Sequence, residues 1–156
     1  MKAVNIQWDA DEPEEIEGLP DTIEIPTEIC SMKHKDEIRP DFNFLMNYTT
    51  GKPKKWWYGI QGIKFIWMGA WNDPLIEYGD YVFNSHDIED VMWDNYSETS
   101  GSSRKTPDDE FEKYMKENSR KVLEMLDEII EKNLEAISDY ITDETGFCHG
   151  GFCLSA

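Results

Sequence analysis

The sequence predicts an α+β fold in which small antiparallel sheets pack with a long helix in the C-terminal half of the chain. Short runs with the alternating period of a half-buried strand occur near both ends and in the centre. Apolar residues keep helical spacing from Phe111 to Ile141. The stretch Trp56–Tyr96 holds eleven of the twenty aromatic residues, so we expect it to supply much of the core.

Length and charge limit the classes of function. A chain of 156 residues predicts a single domain, 1–156. Its net charge of −18 disfavours direct binding to nucleic acid and favours a basic protein partner. Three cysteines and no apolar leader predict free thiols in a reducing cytoplasm. No apolar run is long enough to span a bilayer, so no membrane role is expected, and nothing indicates a cofactor.

The N-terminal segment predicts two strands, at residues 3–8 and 22–25, because apolar and polar side chains alternate in both. Between them, residues 9–15 are rich in Asp and Glu. They lack the regular ligand spacing and central glycine of a calcium-binding loop, so a solvated acidic loop is the favoured interpretation.

Residues 33–64 form a basic island in which Lys and Arg outnumber Asp and Glu by seven to three. A short helix is predicted at 41–48, followed by a cluster of cations and rings: Lys52, Lys54, Lys55, Trp56 and Trp57. Such a cluster is typical of a small nucleic-acid or phosphate contact. The alternative is that these cations balance the acidic ends of the same chain and that both rings pack in the core. We favour that alternative because the rest of the chain is so acidic.

The centre predicts a three-stranded antiparallel meander with strands at 63–68, 75–78 and 81–83. A turn at 72–74 joins the first two strands, and Gly79-Asp80 is a two-residue hairpin signal between the last two. A helix is predicted from His86 to about Tyr96, with Asn84 or Ser85 as its N-cap.

This helix carries the candidate partner-binding surface. Val91 and Met92 are predicted to be buried on one face, whereas Asp90 and Asp94 are predicted to be exposed on the other. Trp93 falls between the two faces, as a partly buried partner-contacting anchor does. Residues 65–103 contain eight acidic residues and no Lys or Arg. The candidate acidic surface comprises Asp73, Glu77, Asp80, Asp87, Asp90, Trp93 and Asp94.

The C-terminal half predicts one long helix that starts at Thr106-Pro107, with a possible break near Lys132-Asn133. Gly146 is predicted to cap it, and a last strand is predicted at 147–154. Most of its acids have a lysine four residues on, which supports a helix: Asp109 with Lys113, Glu112 with Lys116, Glu117 with Lys121 and Glu128 with Lys132.

A soft metal site could draw on Cys148, His149 and Cys153, with Cys30 and His34. Their spacing matches no zinc motif, and adjacent Cys and His side chains point to opposite faces of a strand. The favoured interpretation is therefore buried thiols and an incidental histidine. The same geometry argues against a cysteine nucleophile, so no metal ligand and no catalytic residue is assigned.

Three segments near the ends of the chain carry one resemblance between them: Asn5–Asp9, Ile23–Pro26 and Ile137–Phe152. Together they resemble a group of very short, uncharacterised acidic bacterial proteins found among mobile-element and gut-bacterial sequences. The resemblance implies a terminal β-β-α-β frame formed by residues 1–30 and 133–156. Because short alternating strands need partners to bury one face, we also expect the strand at 3–8 or at 22–25 to pair with residues 147–154 in one sheet. The resemblance also implies an inserted aromatic lobe at about 31–132, and Trp67–Pro74 and Asp87–Trp93 look like parts of a recurring module.

The function we expect is binding to a basic partner. One form is a phage-type inhibitor that mimics nucleic acid in the groove of a host defence effector, as some anti-CRISPR proteins do. An immunity protein or antitoxin that neutralises a cationic toxin is the first alternative. An enzyme that uses paired carboxylates or a metal is the second, and acidic pairs alone do not identify one in so acidic a chain.

Overall fold

The computed structural model describes residues 1–30, 32–37, 60–67, 75–100 and 108–156. It confirms the predicted α+β fold with two small antiparallel sheets and a long C-terminal helix. Several predicted features lie outside the described residues: the helix at 41–48, the cluster from Lys52 to Trp57, the turn at 72–74 and the helix start at Thr106-Pro107.

The first sheet joins the two ends of the chain, as predicted. It contains strands β1 (Lys2–Trp8), β2 (Thr22–Glu24) and β7 (His149–Ser155) in the antiparallel order β2-β1-β7. Ala3 lies opposite Ile23 on one side and Leu154 on the other, and it is fully buried. The acidic loop between β1 and β2 includes a short 3₁₀ helix, Pro13–Ile16, in which no residue is buried.

The second sheet contains the predicted meander: β4 (Ile63–Trp67), β5 (Leu75–Tyr78) and β6 (Tyr81–Asn84). The predicted hairpin is confirmed, because Tyr78 pairs with Tyr81 and Gly79 has a φ of 62°, which glycine adopts without strain. A further strand, β3 (Lys33–His34), pairs with β6 and gives the order β3-β6-β5-β4. Two residues are too few for a periodic signal, so β3 could not be predicted.

The main helices of the described residues are α1 (Ser85–Ser100), α2 (Asp108–Glu117) and α3 (Ser119–Thr145). The predicted break near Lys132-Asn133 is wrong, because α3 runs through it and the break lies at Asn118. The side-chain amides of Asn118 and Asn133 each donate to the carbonyl four residues earlier, at 2.8 Å. The chain departs from the helix only at Asn118, where ψ is 24°.

One hydrophobic cluster connects both sheets and all three helices. It includes Ala3 from β1, Ile76 from β5, Met92 from α1, Met115 from α2 and Leu126 from α3, each at most 1% exposed. Burial of this apolar area is the main stabilising term of the fold. The division into a frame and an inserted lobe stays a prediction.

The end of α3 is fixed as the sequence predicts. Gly146 is left-handed, with a φ of 74°, and its N–H donates to the Thr142 carbonyl at 2.7 Å. The Tyr78 hydroxyl donates to Asp127 at 2.7 Å and so links the meander to α3. This bond also raises the pKa of Tyr78.

Candidate functional site

Helix α1 is anchored at its start and presents several carboxylates to solvent. The Asn84 side chain accepts a hydrogen bond from the His86 N–H at 2.9 Å, so Asn84 is the N-cap. Asp87, Asp90 and Asp94 are all exposed, which confirms the prediction for the last two. We call these three residues the α1 row.

The buried face of α1 differs from the predicted one at Val91. Met92 is 1% exposed, as expected, but Val91 is 46% exposed, so the prediction that it is buried is wrong. Ser85, Ile88, Glu89 and Met92 point inward instead. Residue 91 is rotated by about 100° from residue 92 on a helix, which carries it out of this narrow face. Helical spacing alone therefore predicted a buried face that is shifted by about one residue from the observed one.

The sheet residues of the candidate acidic surface do not share one exposed patch with the α1 row. Asp73 lies outside the described residues. Glu77 is buried, at 9% exposure, and the sheet register places Lys64 opposite it. Asp80 lies in the β5–β6 turn, so the length of β6, roughly 13 Å, separates it from the start of α1.

Asp80 has a local counter-charge, which the sequence did not indicate. The ammonium group of Lys35, next to β3, donates a hydrogen bond to its carboxylate and forms an ion pair with it. This contact lowers the pKa of Asp80 below the ordinary carboxyl range. Glu77, Asp90 and Asp94 also have interaction partners within the chain. The absence of Lys and Arg from residues 65–103 therefore does not mean that their charge is uncompensated.

Trp93 is partly buried, as predicted, and its neighbours are residues of the protein itself. Its ring meets the ring of Phe111 edge-on at a centroid distance of 4.6 Å and that of Tyr96 at 5.6 Å. Tyr96 in turn contacts Tyr114 at 5.0 Å. These rings join α1 to α2. That Trp93 contacts a partner stays a prediction.

A second group of exposed carboxylates lies on α3, a helix whose acids the sequence analysis assigned to pairs with lysine. Glu135, Asp139 and Asp143 are all exposed and follow one another at four-residue spacing. We call them the α3 row. None forms an ion pair with the described residues, and residues 133–156 contain no Lys or Arg. A count of Lys and Arg over residues 133–156, like the one made for residues 65–103, would have identified the α3 row.

The candidate metal-binding side chains are not arranged as a site. The prediction of buried thiols is wrong for Cys148 and Cys153, which are exposed. It is confirmed for Cys30, and burial raises the pKa of that thiol. Metal binding requires a thiolate, which this environment disfavours. No group of three or more His, Cys, Asp or Glu side chains in the described ranges is placed to hold a metal ion.

His149 contacts α3 through its ring. Its Nε2 lies 3.2 Å from the Ser138 hydroxyl, a pairing that a nucleophile and its base also use. A catalytic base of this kind needs a third group to orient it. Nδ1 of His149 is buried and has no hydrogen-bond partner among the residues the structure describes. Within that part of the chain, the contact joins a helix to a strand and completes no triad.

Comparisons of the chain with known protein families, with curated proteins and with solved structures found no match. Among the described residues, no helix has both the length and the apolar character that crossing a membrane requires.

Proposed function

We propose that this protein binds a basic surface on a partner protein and acts there as an inhibitor. The partner class is a nucleic-acid-binding effector of host defence, encountered in the cytoplasm, whose own groove supplies the cations. The observation that carries the proposal is the pair of carboxylate rows on α1 and α3, exposed on a chain of net charge −18.

The spacing of the rows supports mimicry of a phosphate backbone. Residues four apart on a helix are separated by about 6 Å along its axis, and the α1 row spans about 10 Å. One DNA strand carries a phosphate every 3.4 Å or so along the axis, so each row has roughly half its charge density. Lys and Arg side chains are long enough to reach carboxylates at this spacing. A groove built for phosphates is therefore a suitable partner.

The α3 row supports the proposal more directly than the α1 row. Asp90 and Asp94 have interactions within the chain. Glu135, Asp139 and Asp143 form no ion pair with the described residues. A partner that supplies cations there gains charge-assisted hydrogen bonds without first breaking internal ones.

The test is capture of a partner from host lysate with wild-type protein and three charge-reversal variants. One variant reverses the α1 row to lysine, and a second reverses the α3 row. The control reverses three exposed acids of the N-terminal loop, Glu12, Glu14 and Glu15. Each triple reversal brings the net charge from −18 to −12, so only the position of the change differs.

We expect the loop control to retain the captured protein and at least one row reversal to lose it. Nucleic acid should compete with the wild-type protein for the captured partner, because both use its groove. Equal retention by all three variants would refute the proposal, since net charge alone would then explain binding. Failure of nucleic acid to compete would refute the mimicry and leave a toxin-neutralising protein as the better account.

A further inference from the structure

A groove of about 430 Å³ lies between strand β7 and the second sheet. The described residues that line it are His34, Asp80, Tyr81, Leu134 and the four consecutive residues 151–154. Side chains of a strand alternate between its two faces, so four consecutive residues can line one cavity only along the edge of the strand. The groove therefore follows the edge of β7.

No described residue pairs with the outer edge of β7. β7 pairs with β1 on its other side, and β1 lies at the centre of the sheet. An unpaired edge presents N–H and C=O groups that act as a template for another strand.

The edge lacks charge and proline, although register shifts interrupt the pairing of β7 with β1 between Val4 and Trp8. Residues 146–156 contain no Asp, Glu, Lys, Arg or Pro, although 31% of the whole chain is charged. Charged side chains and proline are the usual protection of an exposed edge. β7 spans seven residues, longer than any strand of the second sheet. Among the strands that the structure describes, β7 is thus a long edge without charge or proline.

We propose that β7 accepts an extended basic segment of the partner protein as a fourth strand of the first sheet. This inference rests on the proposed function for the charge of the partner. The added strand would lie about 4.8 Å from β7 and run roughly 13 Å beside residues 151–154. Its side chains would meet Leu134, Tyr81 and the Asp80 carboxylate, which also line the groove.

Charge favours a basic segment of a partner, and not a second copy of the chain, as the strand that pairs with β7. Two copies of net charge −18 would repel each other as their β7 edges approached. A lysine-rich or arginine-rich segment is attracted instead. Asp80 is held ionised by Lys35, and its side chain remains 65% exposed and accessible to a second cation.

The test uses the full chain and an eight-residue peptide of alternating lysine and valine with blocked ends. The control peptide has the same sequence with every second amide N-methylated, which keeps the charge but removes the donors of one strand edge. Peptide affinity and amide hydrogen exchange of residues 149–155 are measured. The two exposed thiols provide an internal control, because Cys153 lines the groove and Cys148 precedes β7.

We expect the unmethylated peptide to bind about tenfold or more tightly than the methylated one, as loss of a few hydrogen bonds requires. It should slow exchange of the outward amides of β7 and slow alkylation of Cys153 but not of Cys148. Equal binding of both peptides would overturn strand addition and leave the proposed function intact. Strand addition would also be wrong if neither peptide binds. The same would hold if the wild-type protein forms a dimer that already protects the β7 edge.

Discussion

Two parts of the same helical region use their carboxylates differently. From α2 into the first turns of α3, acids are paired with cations one turn away: Glu112 with Lys116 at 3.3 Å, Glu117 with Lys113 at 3.9 Å and Glu124 with Arg120 at 3.3 Å. In the second half of α3, the α3 row has no such partner among the described residues. Acid content is therefore a weaker guide to uncompensated charge than the placement of cations.

The paired segment also shows how far the sequence predicts such contacts. The pair of Glu112 with Lys116 is confirmed, and Lys113 pairs with Glu117. The Asp109 side chain lies outside the described residues, so its pair with Lys113 stays a prediction. The predicted pairs of Glu117 with Lys121 and Glu128 with Lys132 do not form in the described structure. Exposed pairs of this kind are worth only a few tenths of a kcal/mol, so competing geometries are nearly equal in energy.

The largest effect should come from the face of α1 that packs inward. Met92→Ala should lower the free energy of unfolding by about 2 to 5 kcal/mol, because it removes a fully buried side chain. Val91→Ala is the matched control and should change it by less than about 0.5 kcal/mol, since Val91 is on the surface. Denaturant titration measures both. Similar losses for the two variants would mean that Val91 is buried as well. The neighbouring α1 row would then be turned away from solvent.

A smaller effect should follow from loosening α1 from α2. Trp93→Ala should cost about 1 to 3 kcal/mol, less than the loss of a fully buried ring, because the side chain is partly exposed. Trp93→Phe keeps an aromatic contact with Phe111 and should recover much of that loss. Thermal unfolding compares them. If Trp93→Ala leaves stability unchanged but speeds release of the partner, Trp93 is mainly a partner anchor.

The smallest effect concerns Asp80, whose counter-charge comes from a separate strand connection and not from a neighbouring turn. Asp80→Asn should cost less than about 1 kcal/mol, since the pair is largely exposed. The pKa of Asp80 is lowered in the folded state, so its contribution is present above the ordinary carboxyl pKa and is lost as pH falls through the folded value. The free energies of unfolding of wild type and Asp80→Asn, measured by denaturant titration, should therefore become equal at low pH. A constant difference at every pH would exclude the ion pair as the cause.

The sequence predicted those features that depend on local periodicity. The terminal strands, the hairpin at Gly79-Asp80, the N-cap at Asn84 and the end of α3 at Gly146 were all anticipated. Features set by tertiary contacts were not. Lys35 reaches Asp80 from 45 residues away, and Val91 is exposed although its neighbour Met92 is buried. The α3 row was missed because the lysines before it suggested that the whole helix was compensated.

The central claim is that the carboxylate rows, and not net charge, attract a basic partner. Its most direct test is the association rate of the captured partner with wild type, each row reversal and the Glu12, Glu14 and Glu15 loop reversal, measured between about 0.01 M and 0.15 M salt. The Debye length falls from about 30 Å to about 8 Å over this range, so steering by the rows should weaken steeply. We predict that at low salt a row reversal slows association by about tenfold or more while the loop reversal changes it little. Equal rates for the row and loop reversals at every salt concentration would contradict the account.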